Sequence, residues 1–115
     1  MRNYVKIFKA LSDSNRLRIL KMLETEPLCV CEIRAVLNLA NSTVSKHLSL
    51  LRDADFIIDE KNGKWVDYRL NIETDNLQVK RLMKLLPEWL NDEPRIKADN
   101  RKLEKVDRNK ICNIN

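Results

Sequence analysis

Residues 41–70 read "NSTVSKHLSLLRDADFIIDEKNGKWVDYRL", a pattern that predicts a helix followed by a β-hairpin. In its first half, Val44, Leu48 and Leu51 form one apolar stripe at helical spacing, while the other faces are polar. Asn41 or Ser42 is the predicted N-cap. Small hydroxyls approach base edges closely and lysine neutralises phosphate, so the pattern suits a helix that enters a DNA groove. An ordinary surface helix is the alternative interpretation.

The second half of this stretch predicts strand, turn and strand. Apolar and polar residues alternate over residues 65–70, which is typical of a strand. Asn62 and Gly63 supply the positive φ values of a two-residue hairpin turn, and Gly63 is the only glycine in the chain. Lys61 and Lys64 flank the tip, as expected for a wing that meets a phosphate backbone. Lysines are also common on hairpin tips that have no such role.

Upstream of this stretch, the pattern predicts three helices. An amphipathic helix begins near the N-terminus, and Asp13 or Ser14 caps the second helix. Pro27 fits the first turn of the third helix, which carries Cys29 and Cys31. Residues two apart on a helix point roughly 200° apart, so both thiols reach one ion only if the first turn of this helix unwinds or bends.

Downstream, residues 75–90 predict a further helix with a leucine-rich surface, which Pro87 kinks or splits. Those leucines serve either a dimer interface or the core of the monomer. The segment 92–115 is charged and poorly periodic, and it is interpreted as a flexible tail that carries Cys112. The predicted organisation is therefore a DNA-binding and dimerisation domain over residues 1–91, followed by this tail.

Composition sets the class of protein. The chain has 115 residues, 43% of them hydrophobic, which predicts one folded domain. A net charge of +5 permits a polyanionic partner. No signal peptide or spanning segment is visible, so we expect a cytoplasmic protein with reduced thiols. An enzyme is not expected, because His47 is the only histidine and no paired carboxylates or phosphate loop are visible.

Four segments carry a resemblance to a known family: "FKALSDSNRLRILKML" (8–23), "LCVCEI" (28–33), "STVSKHLSLLRDADFI" (42–57) and "NGKWVDYRL" (62–70). Together they resemble the ArsR/SmtB family of metal-sensing repressors. The cysteine pair preceded by leucine is similar to its arsenic-sensing and cadmium/lead-sensing branches, and the arsenic-responsive branch is preferred. The resemblance implies a mainly α winged helix-turn-helix with a β-hairpin wing. It also implies a homodimer, formed through the first and last helices, that releases operator DNA on binding a metal or metalloid. Asp55 stands where the family usually has glycine, and it tolerates a left-handed conformation better than most residues.

The resemblance and the position of the helix together identify candidate DNA contacts. His47 is expected to bond DNA or its own helix rather than a metal, because it lies far from the cysteines in the sequence. The candidates on the helix and the wing are Ser42, Thr43, Ser45, Lys46, His47 and Lys64.

The candidate inducer ligands are Cys29, Cys31 and Cys112, since soft thiolates select As(III), Sb(III), Cd(II) or Pb(II). Many arsenic-responsive relatives have a third cysteine three residues after the second, where this chain has Arg34. Cys112 either supplies the third sulfur or is a bystander, in which case solvent or a small thiol completes the site. As(III) or Sb(III) is the preferred inducer. The alternatives are a cadmium- or lead-responsive repressor and a thiol redox sensor that pairs Cys112 with one of the other two.

Overall fold

The computed structural model describes residues 1–111, which are mainly helical and contain one small antiparallel sheet. The elements are α1 (Arg2–Leu11), α2 (Ser14–Leu23), β1 (Leu28–Cys29), α3 (Val30–Leu37), α4 (Asn41–Asp53), β2 (Ile57–Asn62), β3 (Trp65–Leu70), α5 (Leu77–Leu85), a 3₁₀ turn (Leu86–Glu88), α6 (Pro94–Lys105) and α7 (Arg108–Ile111). Helices α3 and α4 form a helix-turn-helix, and β2 and β3 form the hairpin that we call the wing. This arrangement is the winged helix-turn-helix expected from the sequence.

The core is mainly aliphatic and also contains the buried Phe56, and α4 lies against it through the predicted stripe. Val44, Leu48 and Leu51 are all buried. Between α3 and α4 the chain turns at Asn38, which adopts a left-handed conformation (φ 57°). Asp55 follows α4 with φ 70°, which is the left-handed conformation expected at a position where the family usually has glycine. The turn into the wing is therefore made without glycine.

The sheet has the strand order β1-β3-β2, with β3 in the centre. β2 and β3 pair from Ile57 opposite Leu70 to Asn62 opposite Trp65. The two loop residues are therefore Gly63 and Lys64, one position later than predicted. Gly63 has φ 62°, and a glycine at the first loop position is what a type II′ turn requires.

Helix starts differ from the sequence predictions at two places. Asp13 caps α2 as predicted, and its carboxylate accepts the backbone N–H of Asn15 at 2.8 Å. Ala40, rather than Asn41 or Ser42, is the N-cap of α4. The prediction that Pro27 begins the third helix is wrong, because Leu28 and Cys29 are extended and pair with β3 before the helix starts at Val30.

The predicted flexible tail is wrong for residues 92–111, which contain α6 and α7, and the predicted division at residue 91 fails with it. Ile96, Asp99 and Leu103 form a buried stripe at helical spacing. Asp99 is a charged residue in this buried stripe. The guanidinium of Arg18 on α2 donates two hydrogen bonds of 2.8 Å to its carboxylate. This pairing satisfies the buried charge and fixes α6 against α2.

Helix α5 ends at Leu85, and the chain continues as the 3₁₀ turn that contains Pro87. The prediction that Pro87 splits this helical segment is confirmed. Cys112 lies outside the described residues.

Candidate DNA-binding surface and thiol site

The first two turns of α4 present the predicted hydroxyls and lysine to solvent. Ser42, Thr43, Ser45 and Lys46 are exposed, whereas the intervening Val44 is buried. The buried stripe fixes the rotation of α4, so its polar face is held outward. A helix of this kind can place short polar side chains against base edges and its lysine against a phosphate.

His47 is tied to α2 by a contact that sequence reasoning missed. Its Nδ1 lies 3.0 Å from a terminal guanidinium nitrogen of Arg16. Arg16 also donates hydrogen bonds of 2.9 Å to the carbonyls of Ala10 and Lys9 at the end of α1. Burial lowers the pKa of His47, and the charges of Arg16 and Lys46 act in the same direction, against an opposing effect of Asp13. A neutral His47 that accepts at Nδ1 carries its proton on Nε2, where it can donate.

The tip of the wing presents positive charge. Lys61 and Lys64 are exposed, and the Nζ of Lys64 lies 4.8 Å from the centroid of the Trp65 ring. This distance is within the range of a cation–π contact. Trp65 therefore helps to orient the lysine that was predicted to meet a phosphate.

Cys29 lies at the junction of sheet and helix. It is 3% exposed, and it is both the register partner of Asp67 in β3 and the N-cap of α3. Its backbone N–H donates to Oε1 of Glu32 at 3.0 Å, and its side chain accepts the backbone N–H of Glu32. This reciprocal arrangement is a capping box in which cysteine replaces serine or threonine. Burial raises the pKa of the Cys29 thiol, so an ion that binds there must displace its proton.

Cys31 is half-buried in the first turn of α3. Because Cys29 precedes the helix, the expectation that both cysteines lie on opposite sides of one helix is wrong. An extended Cys29 (φ −87°, ψ 167°) frees the pair from the fixed helical angle. Within residues 1–111 no group of three or more His, Cys, Asp or Glu side chains is arranged to hold a metal ion. A three-sulfur site therefore requires a ligand from beyond Ile111 or from another molecule.

Arg108 on α7 joins the surroundings of Cys29 to the wing. Its guanidinium donates to Oδ1 of Asp67 at 3.0 Å, and its Nε lies 3.7 Å from Oε1 of Glu32. It also lies over the Trp65 ring, 4.7 Å from the centroid. Sequence reasoning missed this residue because it assigned α7 to a flexible tail.

Two comparisons with known proteins decide the family. Residues 13–59 match the arsR family of bacterial regulatory proteins. An arsenic resistance transcriptional regulator of Pseudomonas putida is 36% identical over 89 residues, which cover 74% of this chain and 70% of that protein. The chain belongs to the ArsR family. The arsenical resistance operon repressor of Escherichia coli is 43% identical to this ArsR-family chain over 68 residues, or 58% of each protein.

The fold is shared with a solved structure that is described as a possible ArsR-family transcriptional regulator. The homodimeric winged helix-turn-helix DNA-binding domain of a Mycobacterium bovis protein matches with a TM-score of 0.64 at 25% identity, covering 76% of this chain and 77% of that one. The family is one of regulatory proteins, in agreement with the prediction that this chain is not an enzyme. Over residues 1–111, no helix of this ArsR-family chain is long and apolar enough to cross a membrane.

Proposed function

We propose that this chain is a metalloid-responsive transcriptional repressor. As a homodimer it binds double-stranded operator DNA through α4 and the wing, and it releases that DNA when As(III) or Sb(III) binds Cys29, Cys31 and Cys112. We place this activity in the cytoplasm, where both DNA and reduced thiols are present. The observation that carries it is the position of Cys29, which caps the first helix of the helix-turn-helix and pairs with the central strand of the wing sheet.

The DNA contacts of this proposal come from both elements. Ser42, Thr43, Ser45 and His47 read the groove from α4, while Lys46 and Lys64 bind phosphates. Their support is the exposure of the hydroxyls and lysines, together with the hydrogen bond from Arg16 that holds His47. Two copies of this surface, related by a two-fold axis, would match two half-sites of an operator.

Homodimer formation is supported by apolar side chains on α1 and α5. Tyr4, Val5 and Phe8 are exposed on α1, with Phe8 62% exposed, and Leu77 and Leu85 are exposed on α5. Large exposed apolar side chains on neighbouring turns are typical of an interaction surface. Phe8→Glu should dissociate the dimer in sedimentation and weaken operator binding, whereas the exposed Lys97→Glu on α6 should leave the oligomeric state unchanged.

Cys112 as the third ligand is supported by the course of α7. This helix packs against α3, the helix of Cys31, and it ends at Ile111, one residue before Cys112. Cys112 follows this helix directly in the sequence, which supports it as the candidate third ligand. As(III) prefers thiolate sulfur, so two cysteines from the α3 region and a third from this segment make a suitable donor set.

Release of DNA follows from linkage between the two ligands. An ion that binds the DNA-free conformation better than the DNA-bound one lowers the operator affinity by the same factor. To reach an ion, Cys29 must give up its place in the capping box, and the start of α3 must move with it. Since α3 packs on α4, this movement changes the position of the helix that reads DNA.

The test begins with a duplex selected from a randomised pool by the ion-free protein. Operator affinity is then measured under reducing conditions during titration with arsenite, antimonite, Cd(II), Pb(II) and Zn(II). The proposal predicts release by arsenite and antimonite first, and a weaker response in a chain truncated after Ile111. Release by peroxide but not by arsenite would instead identify a redox sensor, and no release by any of these agents would contradict a thiol-dependent switch.

A further inference from the structure

Arg108 lies between two carboxylates that belong to different functional parts. Glu32 is the capping-box partner of Cys29, and Asp67 lies on the central strand of the wing sheet. The Arg108 guanidinium lies 3.0 Å from Asp67 and 3.7 Å from Glu32. The side chains of both acids are only 10% exposed and that of Arg108 is 21% exposed. Charges at such partly buried positions are screened by salt less than surface charges are.

We infer that Arg108 is a positioning residue that transmits ion binding at Cys29 to the wing. The inference rests on the proposed function and assigns part of its regulation to α7. Arg108 need not touch the ion or the DNA to do this. It acts through Glu32 on one side and through Asp67 and Trp65 on the other.

The coupling begins at one carboxylate oxygen. Oε1 of Glu32 accepts the backbone N–H of Cys29 at 3.0 Å and also faces Nε of Arg108 at 3.7 Å. When the Cys29 thiol leaves the capping box to hold an ion, the backbone N–H of Glu32 loses its sulfur acceptor. The backbone of Cys29 moves with the thiol, so its N–H bond to Oε1 of Glu32 weakens and the Glu32 side chain is released from the helix start. Glu32 can then approach Arg108 more closely, and the balance of Arg108 between its two carboxylates changes.

The coupling continues into the wing. Asp67 accepts Arg108 on Oδ1 and the side-chain amide of Asn62 on Oδ2, at 3.0 Å each, and Asn62 is the last residue of β2 before the tip. Arg108 and Lys64 lie 4.7 and 4.8 Å from the centroid of the Trp65 ring. Among residues 1–111, no partner accepts the buried Nε1–H of Trp65. The indole ring of Trp65 is in contact with both of these cations. A shift of Arg108 therefore changes the surroundings of Trp65 and, through the shared ring, of Lys64.

Arg108→Gln tests the inference, with the exposed Arg101→Gln on α6 as the matched control and Arg108→Lys as the conservative variant. Thermal unfolding checks that each variant folds, and thiolate absorption measures arsenite binding. Trp65 fluorescence is assigned by comparison with Trp65→Phe. Operator affinity is measured with and without arsenite.

We expect Arg108→Gln to bind arsenite with wild-type stoichiometry but to lose most of the change in Trp65 fluorescence. The factor by which arsenite lowers operator affinity should be at least about fivefold smaller in this variant than in the wild type. Arg108→Lys should recover part of both signals, because it keeps the charge but not the planar fork. Arg101→Gln should match the wild type. A wild-type fluorescence change and wild-type release in Arg108→Gln would overturn the inference. Failure of arsenite to release DNA from the wild type, with an Arg108-dependent change at Trp65, would instead contradict the proposed function and leave the coupling intact.

Discussion

Cys29 lies directly opposite Asp67 in the antiparallel pairing of β1 with β3. The candidate ligand and the central strand of the wing are thus neighbours in one sheet, although 38 positions separate them in the sequence. Because Cys29 also caps α3, a change at this one residue acts on both parts of the DNA-binding unit. This relationship gives the chain a short physical route from thiol chemistry to DNA affinity.

The capping box should contribute measurably to stability. Glu32→Ala leaves the buried backbone N–H of Cys29 without its acceptor and removes one carboxylate from Arg108. We expect the free energy of unfolding to fall by about 1–3 kcal/mol. Urea unfolding provides the measurement, and the exposed Glu104→Ala on α6 is the control. Equal stability of the two variants would show that the capping box contributes nothing.

The ion pair between Arg18 and Asp99 should hold α6 in place. Asp99→Ala leaves a mostly buried guanidinium without its partner, so stability should fall by about 3–5 kcal/mol. The double variant Arg18→Met, Asp99→Leu should recover much of this loss, because no charge is then left buried. Urea unfolding of the single and double variants, with the exposed Asp92→Ala as control, measures both effects. A loss below about 1 kcal/mol in Asp99→Ala would argue that α6 is held by its apolar contacts alone.

His47 should make stability depend on pH. Its pKa is lowered in the folded protein, chiefly by burial, so the unfolded chain binds more protons in the window below the ordinary value of 6.5. The stabilisation that neutral His47 contributes is therefore fully present above pH 6.5. It is lost as the pH falls through the pKa of the unfolded chain and then that of the folded protein. His47→Gln should flatten the slope of unfolding free energy against pH in the window below about pH 6.5. An identical slope in the variant would contradict this assignment.

Lys46 should contribute one phosphate contact. Lys46→Ala should reduce the slope of log affinity against log salt concentration by about one and weaken binding to all sequences similarly. Lys97→Ala, an exposed lysine on α6, should leave the slope unchanged. Filter binding or fluorescence anisotropy over a range of salt concentrations measures both. Equal slopes for the two variants would remove Lys46 from the DNA contacts.

Local pattern was sufficient for the DNA-binding unit. The apolar stripe of α4, the cap at Asp13 and the hairpin alternation are each visible as a pattern among residues close in sequence. The strand at Leu28 was missed because a two-residue strand has too few side chains to show alternation. It exists because β3 offers a free edge to pair with.

The region after residue 91 was misread because its stabilising contacts are long-range. Asp99 pairs with Arg18 across 81 positions, and Arg108 pairs with Asp67 across 41. In the sequence, such residues are indistinguishable from solvated charges. Arg108 in the thiol site therefore became visible only from the fold.

Whether the thiol pair controls DNA release is measured by the operator affinity of the double variant Cys29→Ser, Cys31→Ser, with and without arsenite under reducing conditions. Serine preserves a capping oxygen at position 29, so the variant should fold and bind operator as the wild type does. We predict that arsenite weakens operator binding of the wild type roughly 5- to 150-fold and leaves that of the variant unchanged. Undiminished release of the variant by arsenite would show that the switch lies outside this thiol pair.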